Sequence, residues 1–354
     1  MVSILLVAAL IVIGVPVLIK VYFTLIRGRN KHFPDMRKKV VLVTGGNAGI
    51  GKETARLLYQ LNATVIITGR DKEKAQAFLE QLPMHTPQRP KMKFYQVDFS
   101  DLNQVKQFAE EIKTKYNKID ILVNNAAMAN LEHRLSKQGI ELTMAVNHLA
   151  PVYLTSLLMD LLVDAEGRQA RIINVSSKAH ITRKKLFAPF LKAGNLWNTK
   201  INTQETGSMK YFVMTAYGLS KLGNVAFTRG LAQLIKKNNW SIKTASLHPG
   251  GVNTDIWRPM DEIPIIKNHF KPLVLALMRF ALRTEAEGAA TIQHLSLCPF
   301  DEIVNGEYYI DCEVSRKQNY EDLEKYTQYL WDETIKVIYE KTGHRCFSGK
   351  KEGE

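Results

Sequence analysis

The chain has 354 residues, 48 Lys and Arg against 34 Asp and Glu, a formal net charge of +14, and 45% hydrophobic residues. That composition excludes a disordered, collagen-like or multi-span membrane protein. The length allows two domains or one large α/β sheet. Three cysteines, Cys298, Cys312 and Cys346, make no disulfide framework and carry no metal-ligand spacing, so no metal is expected. The positive charge is scattered, which argues against a nucleic acid partner. It crowds only after the apolar N-terminus, where an anionic membrane surface is the economical partner.

From Val2 to Ile26 the only charge is Lys20. At about 1.5 Å per residue this run exceeds the roughly 30 Å of a hydrocarbon core. Gly14 and Pro16 are tolerated in a membrane helix. A cleaved signal peptide fits poorly, because no Lys or Arg precedes the run and no small-x-small site follows it. Residues 1–26 are therefore expected to be a membrane anchor, either a full span or a monotopic insertion bent near Pro16 or Lys20. Residues 27–38 read as a basic juxtamembrane linker with Arg27, Arg29, Lys31, Arg37 and Lys38. By the positive-inside rule that flank stays in the cytosol.

Residues 39–318 read as one catalytic domain. Expected strands are Val40–Thr44, Thr64–Thr68, Lys93–Val97, Ile121–Asn124, Arg171–Val175, Ser241–Leu247 and Glu307–Ile310. Helical stretches lie between them, including 50–61, 102–117, 137–163 and 213–237. Strands alternating with helices predict right-handed βαβ units and an α/β, doubly wound parallel sheet of the Rossmann kind. Residues 83–90 read as a connection. Residues 319–354 read as a C-terminal helix and tail, frayed and polar from about residue 340.

The first strand runs into Gly45-Gly46-Asn47-Ala48-Gly49-Ile50-Gly51, and a helix follows. Such a unit turns backbone N–H groups and a positive helix end toward a pyrophosphate. Gly45, Asn47, Ala48, Gly49, Ile50 and Gly51 are thus candidate cofactor contacts. The second strand ends in Thr68-Gly69-Arg70. An acid about 20 residues beyond the glycine loop would hold the ribose of NAD, whereas an Arg suits the 2′-phosphate of NADP. Gly69 stands near the acid's place, Arg70 follows, and Asp71 reads as a helix N-cap. NADP(H) is the expected cofactor.

Tyr217 and Lys221 sit one turn apart in the helix 213–237, so they share a face. An ammonium there favours the phenolate and lowers the tyrosine pKa from about 10, suiting Tyr217 to acid/base work. Alone, Tyr-x3-Lys carries no weight. Ser176-Ser177 end a strand at the carboxyl edge of the sheet, where open α/β folds bind ligands.

Taken together, these motifs resemble the short-chain dehydrogenase/reductase family. Thr44-Gly45-x3-Gly49-x-Gly51, Asp98, Asn124-Asn125-Ala126, Asn147, Ser177, Tyr217-x3-Lys221 and Pro249-Gly250-x-Val252-x-Thr254 occur in family order over about residues 38–312. Within the family the chain is most similar to the membrane-anchored retinol dehydrogenase-like group. Gly51-Lys52-Glu53-Thr54-Ala55, the run Arg171–Ser177, Ala179-His180, Gly306-x-Tyr308-Tyr309-x-Asp311-Cys312 and Leu330-Trp331-Asp332 carry that likeness.

The resemblance implies that Tyr217 exchanges the proton, and that Lys221 lowers its pKa and binds the nicotinamide ribose. It implies that Ser177 hydrogen-bonds the substrate oxygen and that Asn147 holds a relay water through its carbonyl. Asp98 would meet the adenine, Asn124 and Ala126 line the cofactor, and Pro249, Gly250, Val252 and Thr254 surround its nicotinamide end. Asn124 and Asn125 could equally be buried amides tying strands together.

Three departures stand out. Ala127 replaces a glycine. Ser177 and Tyr217 are unusually far apart, implying an inserted loop over about 180–210 that carries Phe187, Phe190 and Trp197. Pro151, four residues after Asn147, lacks the N–H that would bond the Asn147 carbonyl; the alternative is an ordinary kink.

Residues 256–283, apolar over Pro272–Leu282 except for Arg279, are expected to form a substrate lid; ordinary helix packing is the alternative. His180 and His248 read as structural. The implied function is a membrane-bound NADP(H)-dependent oxidoreductase interconverting a hydrophobic alcohol and its aldehyde or ketone, retinol/retinal-like, in the reductive direction. Steroid, polyprenol or fatty-aldehyde substrates are the alternative, and a non-catalytic cofactor-binding scaffold is a further one. The expected location is the endoplasmic reticulum membrane with the domain facing the cytosol, or else the lipid droplet surface; a homodimer is left open.

Overall fold

A computed structural model describes residues 15–83, 91–130, 132–163, 168–182, 213–252, 282–315 and 321–347. Residues 253–281, holding Thr254 and nearly all of the expected lid, lie outside the described residues. So do 183–212, most of the expected insertion.

Helix α1 (Val15–Ile26) comes first, then β1 (Val40–Val43), α2 (Gly49–Gln60), β2 (Thr64–Gly69), α3 (Lys72–Glu80) and β3 (Met92–Gln96). Next come α4 (Leu102–Lys115), β4 (Ile121–Asn124), α5 (Ala150–Leu157), β5 (Ala170–Val175), α6 (Val213–Lys237) and β6 (Ile242–His248). The chain continues through α7 (Glu285–Leu297), β7 (Tyr308–Ile310), β8 (Glu313–Val314) and α8 (Glu321–Thr342).

The eight strands form one sheet in the order β3-β2-β1-β4-β5-β6-β7-β8. β1 to β7 are parallel, as the alternation predicts. β8 corrects the all-parallel expectation: it runs antiparallel to β7. Asp311 and Cys312, at φ 53° and 65°, make the tight turn between them, and positive φ at both central residues matches the twist of a two-residue hairpin.

Both faces of the sheet are covered, so central strands such as Val40-Val41-Leu42-Val43 and Ile121-Leu122-Val123 carry continuous apolar runs rather than alternating ones. One core lies between the sheet and α4, α5, α6 and α8. The other lies against α2 and α7. The strand order reverses between β1 and β4, which opens a crevice at their carboxyl ends.

The stretch 137–163 is not the single helix its periodicity predicts. A short turn at Leu142–Met144 passes into a π turn at Ala145–Leu149, and α5 starts only at Ala150, with Pro151 in its first turn. The tail is likewise less frayed than its polarity implies. Gly343, at φ 71°, ends α8, Cys346 is buried, and Phe347 stacks on Trp331 at 5.5 Å. Ser156 Oγ takes the Phe347 N–H at 3.1 Å and meets His344 Nε2 at 2.9 Å.

Among the described residues no helix is long and apolar enough to cross a membrane; residues 1–14 lie outside them. α1 exposes Val17, Leu18, Val21, Tyr22 and Leu25. The basic linker after it lies against the domain. Arg27 pairs with Glu287 at 2.9 Å, a Cβ on Gly28 would strike the Asp311 carbonyl, and Met36 is buried with its N–H on the Leu61 carbonyl.

Candidate active site

The glycine turn is built by close approach. Gly45 and Gly49 have φ of 64° and 57°, conformations that glycine adopts freely. A Cβ on Gly45 would lie 3.0 Å from the Ala126 Cα, and one on Gly51 would strike Asn125 Nδ2 and the Gly45 carbonyl. Thr44 Oγ1 accepts the N–H groups of Asn125 and Ala126 at 2.9 and 3.0 Å. Asn125 Nδ2 donates to the carbonyls of Thr44 and Gly45. Asn125 thus locks the turn from β1 to the turn from β4. Asn124 points into the sheet, donating to Asn174 Oδ1 on β5 and to Thr155 Oγ1, a strand-tying amide.

Ala48, the N-cap of α2, has no side-chain acceptor for the first-turn N–H groups. These face a cleft of about 540 Å³, within the range of small-molecule sites. Gly45, Asn47, Ala48, Gly49 and Ile50 line its middle, with Asp98 and Ala126 beside them. Arg70 stands at one end; Ser177, Tyr217 and Lys221 stand at the other with Pro249, Gly250 and Val252. An extended dinucleotide fits this donor set: bare helix N–H groups for a pyrophosphate, a cation for a terminal phosphate, and a polar pair at the far end.

A Cβ on Gly69 would overlap the amide of Asn47, so an acid at that position has no room. Asp71 is the N-cap of α3, accepting from the Lys74 N–H at 2.9 Å, as its spacing predicts. Asp98 accepts the Ser100 N–H at 2.9 Å. Ala127, in place of the usual glycine, lines the cleft without closing it.

Asn147 is buried in the π turn. Its Nδ2 donates to the Met128 carbonyl at 2.9 Å and to Ser220 Oγ at 3.1 Å, and its Oδ1 accepts the Met128 N–H at 2.7 Å. The side chain is occupied, and Pro151 has no N–H to offer the Asn147 carbonyl. Single π turns are frequent at functional sites.

Tyr217 and Lys221 are buried on one face of α6. Lys221 Nζ lies 5.5 Å from the Tyr217 ring centre and donates to the Val175 carbonyl at 2.9 Å. Tyr217 and Ser177 line the same cleft. The expected lowering of the Tyr217 pKa is corrected here: burial outweighs the opposing effect of Ser177 and pushes the phenol up to about 12. Burial likewise pulls Lys221 down to about 7. Both groups lose hydration, and the ammonium aims at a carbonyl rather than at the phenol.

His180 Nδ1 meets the Ser177 carbonyl, and its ring packs on Tyr308 at 4.9 Å. His248 Nδ1 accepts the Lys178 N–H at 3.4 Å. Burial, aided by Lys178 and Arg283, pushes His248 down to about 3. His180 is thus held in the interior, whereas His248 also lines the cleft beside Pro249.

Two contributors escape the sequence reading. Lys74 lines the cleft with Arg70; its place one turn further on, in the next helix, was the available clue. Arg283 supports the Pro249–Gly250 loop. Its N–H bonds the Gly251 carbonyl, its guanidinium bonds the Pro249 carbonyl at 3.3 Å, and it pairs with Asp311. Nothing local in the sequence marks that contact.

Strand order, glycine turn and cleft together define a dinucleotide-binding protein of the doubly wound class. The chain belongs to the short chain dehydrogenase family, whose family model matches residues 39–190 and 201–263. It is 31% identical over 300 residues to retinol dehydrogenase 11 of Homo sapiens, covering 85% of this chain and 86% of that one. It is 30% identical over 311 residues to the chloroplastic short-chain dehydrogenase TIC 32 A of Brassica napus, covering 87% and 91%. The fold is similar to the RhlG/NADP active-site complex of Pseudomonas aeruginosa, with 22% identity, a TM-score of 0.56, and 78% and 95% coverage. The protein is an oxidoreductase of this family, in its retinol dehydrogenase-like group, with a nicotinamide dinucleotide as cofactor.

Proposed function

We propose that this protein is a membrane-bound, NADP(H)-dependent reductase of hydrophobic aldehydes or ketones, retinal among them, working from the cytosolic face of the endoplasmic reticulum. The observation that carries the reaction is Tyr217. A buried phenol raised to about 12 keeps its proton at physiological pH, and Ser177 lines the same cleft. Such a phenol can donate its proton to a carbonyl oxygen.

When bound, the nicotinamide ring supplies the hydride. Gly45, Asn47, Ala48, Gly49, Ile50 and Gly51 hold the pyrophosphate on their N–H groups. Asp98 meets the adenine, and Ala126 shapes the wall between, while Asn124 ties β4 to β5 beneath it. Pro249, Gly250 and Val252 bound the nicotinamide end, and a role there for Thr254 belongs to the same proposal. Ser177 orients the substrate oxygen beside the Tyr217 hydroxyl. Lys221 holds the ribose and brings partial positive charge to the phenol, and the Asn147 carbonyl holds a water that resupplies the proton.

The preference for NADP(H) is supported by Arg70 and Lys74 at one end of the cleft and by the lack of room for an acid at Gly69. The apolar run to Ile26 and the exposed face of α1 support membrane attachment. The basic flank supports the cytosolic orientation. Relatives named as retinol dehydrogenases support a retinoid-like substrate.

The test is turnover of the full chain in lipid vesicles with retinal and either NADPH or NADH. NADPH-dependent reduction is expected to dominate. Equal rates with both cofactors, or no reduction of any lipid carbonyl, would refute the reading.

A further inference from the structure

Beneath the cleft, a chain of buried hydrogen bonds runs from Lys221 to the C-terminal helix. Lys221 Nζ donates to the Val175 carbonyl at 2.9 Å, and Asn224 Nδ2 donates to the same oxygen at 3.1 Å. A carbonyl only accepts, so Asn224 must present its nitrogen to Val175 and its Oδ1 to His148 Nδ1, 3.2 Å away. That oxygen also only accepts, so Nδ1 must carry the ring proton.

His148 is 1% exposed. Burial, with a contribution from Lys221, pushes its pKa down to about 4, so the ring is neutral in the working range. Thr334 Oγ1 on α8 lies 2.9 Å from Nε2. That hydroxyl donates to the Leu330 carbonyl and sets its oxygen against Nε2. A continuous chain of buried polar contacts thus links α8 to Lys221. The ring has no slack, because a Cβ on Gly223 would lie 2.7 Å from Nδ1.

We propose that His148 and Thr334 are positioning residues for Lys221, which makes α8 part of the support of the active site. Thr334 seats the His148 ring, His148 fixes the amide of Asn224, and Asn224 shares with Lys221 the carbonyl that holds the ammonium beside Tyr217. A neutral ring also spares Lys221 a neighbouring positive charge. The inference rests on Lys221 acting in the reaction as proposed above.

The test uses the full chain with NADPH and a lipid aldehyde. Thr334→Val keeps the side-chain shape and removes the hydroxyl; Thr334→Ser keeps the hydroxyl. Thr334→Val is expected to lower kcat by roughly three- to tenfold, the worth of one hydrogen bond, with KM for the aldehyde unchanged. Thr334→Ser should stay within about twofold of wild type. Wild-type kcat in Thr334→Val, equal losses in both variants, or a change in KM alone would overturn the proposal.

A second pair serves where Thr334→Val does not fold. An Asn amide nitrogen mimics Nδ1–H, whereas a Gln amide mimics the position of Nε2. His148→Asn should therefore keep a higher kcat than His148→Gln, and the reverse order would overturn the proposal. Lys221→Met is the separate control: full activity there would remove the reading beneath the inference, whatever the other variants do.

Discussion

Tyr217 is the one tyrosine among the described residues lining the cleft, so the proposed chemistry rests on one hydroxyl. Tyr217→Phe should cut turnover by about a hundredfold or more, the usual share of a general acid. NADPH should still bind, since the ring and its packing remain; a near-wild-type rate would end the assignment. At the other end of the cleft, Arg70→Ala should weaken NADPH by roughly 1.5–3 kcal/mol, as for a charge-assisted hydrogen bond, and leave NADH unchanged. Lys74→Ala should act in the same direction. Titration of both cofactors against each variant checks this, and equal losses would contradict it. Arg70 was legible because its place after the second strand has a known physical meaning. Lys74 and Arg283 were not, because each acts through spatial neighbours, in the case of Arg283 a loop and an edge hairpin distant in sequence.

The elements show where pattern reading stops. The glycine turn was legible because its conformational demand and its strand–helix setting are local. The π turn at Ala145–Leu149 was not, since apolar residues on both sides continue a helical period and only Pro151 hinted at a break. Asn147 owes its position to that turn. The folded tail was hidden for another reason: Phe347 and Cys346 stand in a polar stretch, and their burial comes from Trp331 and Ser156. The contact between α6 and α8 gives a test of this packing. A Cβ on Gly230 would strike the ring of Trp331, so Gly230→Ala should overpack the contact and cost about 1–3 kcal/mol. Urea denaturation measures it, and an unchanged midpoint would show that α8 is not seated tightly on α6.

At the scale of the whole molecule, buried histidines set the response to acid. His148 and His248, pushed by burial from 6.5 to about 4 and about 3, refuse protons that the unfolded chain accepts. His294 and His344 are shifted the same way. Their contribution to stability is complete above pH 6.5 and is lost as pH falls through the folded values. The urea midpoint should therefore fall between pH 7.5 and pH 5, and a flat profile would contradict the burial of these rings.

Orientation is tested by adding protease to intact microsomes. With residues 27–39 in the cytosol, the catalytic domain should be destroyed without detergent; full protection would reverse the topology. The central claim, NADPH-dependent reduction of a long hydrophobic carbonyl, meets its most direct test in kcat/KM along a series of aldehydes of increasing length, retinal included. Each buried CH₂ contributes roughly 0.8 kcal/mol, so efficiency should climb steeply until the pocket is full. A flat profile, or a preference for small polar carbonyls, would contradict it.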